Sequence, residues 1–181
     1  MKKKYSGMIQ VSLMCLFLFS VIPACVSATN PYSKKWPDFQ NKIISGPSQS
    51  SMLASLPQDI KIMEPSDDIP NAIKECSGVW YGNTDRHKTT DMKLAVEEIS
   101  QEGDAYVARV VCAVASGMRN WEPKVFRLNG DFVKNELQVT LPGEKEMIFF
   151  RSRSDGKLDV KWIEIDSKRW AVGVMTKQAH N

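Results

Sequence analysis

With 181 residues the chain has room for one domain and some additional segments. Its formal charge of +3 belongs to the N-terminus, because residues 1–28 carry three lysines and no acid, while residues 29–181 hold 21 basic against 21 acidic side chains. A neutral body without a basic stripe gives no electrostatic case for a nucleic-acid partner, and none is expected.

Residues 1–28 read as a signal peptide. Lys2, Lys3 and Lys4 precede an apolar run from Met8 to Ile22 that is shorter than the roughly 20 residues of a comfortable bilayer span. Val26-Ser27-Ala28 places small residues where a signal peptidase cuts. A competing signal, Ile22-Pro23-Ala24-Cys25, resembles a bacterial lipoprotein box with Cys25 as the lipidated residue, although proline is unusual inside it. Cleavage after Ala28 is the expectation and would leave the chain periplasmic or secreted. Lipidation at Cys25, the alternative, would anchor it to a bacterial membrane and is the only route by which a membrane becomes a partner.

Residues 29–70 form an irregular Pro/Ser-rich linker or arm. Pro31, Pro37, Pro47, Pro57, Pro65 and Pro70 remove backbone donors and fix φ, so no helix or central strand can propagate. Trp36, Phe39, Ile43, Ile44, Leu53, Leu56, Ile60 and Ile62 leave room for partial docking on the C-terminal domain. Asp67-Asp68-Ile69-Pro70 carries a helix-start pattern, an acidic cap with proline in the first turn, with space for only a turn or two before Gly78.

The domain at 71–181 alternates strand and turn. Strands are expected at 78–84, 91–100, 105–115, 124–128, 132–141, 146–153, from Leu158, and at 169–176. Turns are expected at Gln101 to Asp104, Asn129-Gly130-Asp131, Pro142-Gly143 and Ser154 to Lys157. Eight strands joined by short turns predict an all-β fold, an antiparallel up-and-down meander closed into a barrel, because closure removes exposed edges. A two-sheet β-sandwich is the alternative. A barrel of this size either fills its interior with side chains or holds one small ligand.

Cys15 lies in the signal, and Cys76 and Cys112 remain for the mature domain. An oxidising compartment makes a disulfide the default. Against it, the two cysteines fall at opposite ends of a three-strand stretch, on the order of 20 Å apart where a bridge tolerates about 7 Å between Cα atoms. The sequence leaves the pairing open.

The stretch Cys76-Ser77-Gly78-Val79-Trp80-Tyr81-Gly82, after a short helical turn and at the head of an eight-strand meander, resembles the Gly-x-Trp opening of the calycin superfamily, which includes lipocalins and avidin-like barrels. The resemblance covers residues 76–177 and lacks the later lipocalin motifs. It implies that Gly78 and Trp80 are structural, with Trp80 closing one barrel end beneath a basic side chain from near the last strand, Lys168 or Arg169.

No catalytic site is expected. His87 sits near Asp85 in a polar loop and His180 is penultimate, but no nucleophile stands in a strained turn to complete a triad. Neighbouring valines make Cys112 an inert thiol. Glu97 and Glu98 are adjacent on a strand, so in a regular strand they face opposite ways and cannot share a substrate. No spacing suits a metal, and no cofactor is implied. What remains is a ligand-binding expectation at one barrel end, framed by residues 83–90 and 116–123, where Trp121, Arg119, His87 and Arg86 would meet a small apolar or aromatic molecule. Arg109 interrupts an apolar strand and is either outward and solvated or a buried charge awaiting a partner. The sequence thus predicts an exported, non-enzymatic barrel whose partner is a small molecule or, alternatively, an envelope protein held by a side-chain-filled structural module.

Overall fold

The computed structural model describes residues 54–85, 90–116 and 122–179. The signal segment, Cys25 and the arm up to residue 53 lie outside the described residues.

Eight strands, β1 (Gly78–Thr84), β2 (Thr90–Glu102), β3 (Ala105–Ser116), β4 (Lys124–Val133), β5 (Glu136–Thr140), β6 (Glu146–Ser152), β7 (Lys157–Glu164) and β8 (Arg169–Lys177), come after one helical turn, α1 (Asn71–Lys74). Each strand pairs antiparallel with the next, and β8 returns to β1, giving a closed up-and-down barrel rather than a sandwich. Alternation explains which residues fill it. Trp80, Leu94, Val110, Cys112, Leu137, Ile148, Phe150, Val160, Trp162 and Met175 point inward and form one apolar core. Closure needs two glycines at the seam: a Cβ on Gly82 would run into the Val174 carbonyl, and one on Gly173 into that of Asn83.

The expected Asn129-Gly130-Asp131 turn does not form. All three residues are inside β4, paired with Arg109, Ala108 and Val107. Gly130 is there because a Cβ would meet Leu137 Cδ1 at 2.8 Å, so the strand has no space for a side chain. The hairpin turns just beyond Phe132 and Val133, at Lys134 (φ 52°) and Asn135 (φ 64°), where both central residues take the left-handed conformation of a two-residue β-turn. The helix-start pattern also resolves differently. Pro70 occupies the N-cap position with no side-chain cap, and Lys74 Nζ instead donates to the Asp67 carbonyl at 3.0 Å.

One irregularity shapes the outer wall. The β2–β3 register slips between Val96 and Glu98, so Glu97 is the extra residue of a β-bulge. Before it Met92, Leu94 and Val96 face inward; after it the inward residue is Ile99. Both Glu97 and Glu98 therefore face outward, contrary to the strict alternation expected of adjacent strand residues.

Residues 54–63 lie as an irregular strap across the outside of β2, β3 and β4. Ala54 packs on Ala113 and Ala115, with Leu56 against the same cluster. Small side chains on the outer face of β2 and β3, Ala95, Val111, Ala113 and Ala115, are buried.

Candidate functional site

At the α1 end the barrel is shut. Ile69 and Ile73 are buried in the core cluster with Trp80, each contributing roughly 1.5–3 kcal/mol of apolar burial. Trp80 Nε1 donates to the Cys76 carbonyl at 2.9 Å. The cation above Trp80 is Lys177, with Nζ 5.2 Å from the ring centroid, at the distance where an ammonium is attracted to the indole face. Gly78 (φ 113°) makes room for it, since a Cβ there would sit 2.7 Å from Lys177 Cε. Arg169, expected in that place, is exposed at the other end of β8, where it pairs with Glu164 at 3.0 Å. The reason is direction: β8 runs antiparallel to β1, so its last residue, not its first, lies opposite Trp80.

The densest polar constellation is on the outer wall at the bulge. Glu97 is only 4% exposed. Its carbonyl accepts the Met63 N–H at 2.7 Å, and its Oε1 accepts the Lys61 N–H at 3.3 Å. Its Oε2 lies 3.5 Å from Arg109 Nε and 3.8 Å from an Arg127 nitrogen. Arg109 also reaches Glu98 at 3.0 Å, and Arg127 pairs with Asp59 of the strap. Arg109 is thus outward and half-exposed, with both carboxylates as partners. Beside it a depression of about 290 Å³ is lined by Glu98, Ser100, Glu102, Val107, Asn129 and Asp131, among others. This cluster latches the strap to the barrel; it presents no activated nucleophile, and among the described residues no group of His, Cys, Asp or Glu could hold a metal ion.

The expected ligand end is described only in part. Arg86, His87, Arg119 and Trp121 lie outside the described residues. Asp85 is tied to β8 by reciprocal bonds: its N–H donates to the Val172 carbonyl at 2.9 Å, and its Oδ1 accepts the Val172 N–H at 2.7 Å. That occupies its carboxylate structurally. Thr84 Oγ1 is buried and without a hydrogen-bond partner.

Cys76 and Cys112 are free thiols, both buried. Burial pushes each up to about 12, for Cys76 with help from the Glu75 carboxylate, so neither is a nucleophile at neutral pH.

No family model and no curated protein matches this chain. Two structurally important features escape a reading by period. The Glu97 latch had a signal, the phase change between Val96 and Ile99. Lys177 had none, because its position over Trp80 depends on the register of β1 with β8.

Proposed function

We propose that the chain is an exported, non-enzymatic, calycin-like barrel that acts as a structural or protein-interaction module of the cell envelope. The carrying observation is the filled lumen. Two tryptophans and Phe150 sit inside it among Leu, Ile and Val side chains, and Ile69, Ile73 and Lys177 cover the α1 end. A lumen filled in this way directs recognition to the outside, where the depression beside Arg109 offers the exposed carboxylates of Glu102 and Asp131.

Native mass spectrometry of the protein purified from its own envelope tests this reading. The expected result is a polypeptide without a small-molecule adduct, together with a protein partner whose retention drops when Glu102→Lys and Asp131→Lys are combined. A stoichiometric small molecule that disappears in Trp121→Ala would overturn it and restore the ligand at the barrel end. The same mass distinguishes cleavage after Ala28 from lipidation at Cys25.

A further inference from the structure

The ring of strands is complete, but one of its seams is short. β4 pairs with β3 from Lys124, opposite Val114, to Phe132, opposite Tyr106, yet with β5 only from Gly130 to Val133. β5 ends at Thr140 and turns back into β6. Residues 124–129 therefore have a strand on one side and, among the described residues, none on the other. The direction of the unpaired groups follows from the hairpin. Lys134 and Asn135 are its two turn residues, and a turn of that kind bonds the Val133 carbonyl to the Glu136 N–H. Backbone groups alternate sides along a strand, which turns the N–H and C=O of Val125, Arg127 and Asn129 toward the side without a neighbour.

The side chains report the same gap. Phe126 and Leu128 stand on the lumen side, opposite Cys112 and Val110, yet are only partly buried, whereas Leu94, Val110, Ile148 and Val160 are 0% exposed. Val125, which faces outward, is 47% exposed. Charged side chains commonly guard a bare edge, but Arg127, at the centre of this one, is drawn to Asp59 and Glu97.

We propose that the edge of β4 at residues 124–129 binds an extended segment of another polypeptide, which adds to the sheet as a strand beside β4. Unmade backbone bonds select an extended main chain, and the flanking side chains select its pattern. Partner residues on the lumen side meet Phe126 and Leu128 and are apolar; those between them face outward beside exposed Val125 and Asn129 and are polar. The edge spans about 20 Å, so about six residues of partner fill it. β4 of a second copy is a poor occupant, because antiparallel self-pairing sets Arg127 opposite Arg127 or Lys124 opposite Leu128. This site rests on the edge alone and not on the Glu102 and Asp131 depression.

Hydrogen exchange resolved by residue, on the whole chain purified from its own envelope, tests the proposal. In the chain alone the amides of Val125, Arg127 and Asn129 should exchange freely, and those of Phe126 and Leu128, turned toward β3, slowly. The probe is a capped peptide of about eight residues alternating valine and threonine. It should slow the three edge amides by about tenfold, and the same peptide N-methylated at every residue should not. Val125→Pro removes a donor that the β3 ladder does not use. The cooperative unfolding transition should persist in that variant while the peptide no longer protects Arg127 and Asn129. Val125→Thr, which keeps the N–H, should behave as the parent. Slow exchange of the edge amides in the chain alone would show the edge already covered and overturn the proposal. Equal protection by the two peptides, or none by either, would sink it as well. Combining Glu102→Lys and Asp131→Lys should leave the protection unchanged; its loss there would assign the peptide to the depression instead of the edge.

Discussion

Inside the barrel the buried side chains are apolar from Trp80 near the α1 end to Ala171 toward the other, while on its outer wall Asp91, Glu97, Glu136, Asp159 and Lys161 are buried too. The two surfaces of one sheet solve burial differently. The lumen removes water with shape and volume alone. The outer wall keeps its charges and satisfies them: Glu97 by the strap and two arginines, Asp159 by Arg151 and Arg153 at 3.0 and 3.2 Å. A charge buried on the outside of a closed barrel requires something laid over it, as the strap is laid over Glu97.

The largest effect should come from the lumen. Trp162→Ala removes a buried indole from a barrel that cannot collapse without breaking its ladder, and is expected to cost about 3–5 kcal/mol in urea unfolding. A cost below about 1 kcal/mol would mean the lumen is looser than its contacts show. The latch comes next. Glu97→Ala strips two acceptor oxygens from a buried cluster and should cost about 1–3 kcal/mol. Hydrogen exchange should rise at Lys61, and the lumen strands should stay protected. Uniform loosening of both surfaces would erase the distinction between them.

The strap can also be addressed through pH. Burial holds the Asp91 carboxyl above its ordinary 3.8, against the Ala54 N–H and Lys93, which favour the charged form. The folded chain therefore binds that proton more tightly than the unfolded chain. Its contribution is fully present below about 3.8 and is lost as pH rises through the folded-state value. Asp91→Asn keeps an acceptor for Ala54, so its stability relative to the parent should grow as pH rises from 3.8 and then level off. A difference independent of pH would show that Asp91 is solvated in the folded protein.

Cysteine accessibility separates inside from outside again. Without reductant, iodoacetamide should leave Cys76 and Cys112 unmodified in the folded chain and label both after denaturation; a mass lower by about 2 Da with no labelling would show a bridge instead. The smallest effect belongs to the exposed hairpin, where Asp155→Asn removes a surface pairing with Arg153 and should shift stability by less than about 0.5 kcal/mol.

Much of this was legible in the residues. Alternation through 105–115 announced a strand. That its outer face is covered, by Ala54 and Leu56 of the strap on Ala113 and Ala115, came only with the structure. The bulge was written as a phase change at Val96 to Ile99, easily passed over because Glu97-Glu98 looks like solvated strand end. Asn129-Gly130 misled for a physical reason: the dipeptide that best makes a tight turn also fits where a neighbouring side chain presses against backbone. Leu137 decides between the two, and it arrives only with the hairpin.

By itself the sequence determined the all-β class, the strand count and the closed meander, because those derive from period and short turns, which are local. Tertiary structure alone decided which cation covers Trp80, that Glu97 and Glu98 share Arg109, and that Phe149, Lys161 and Val172 are buried on the outer wall. Each of those depends on register between strands distant in sequence, and register is fixed by closure and packing of the whole barrel rather than by any segment of it.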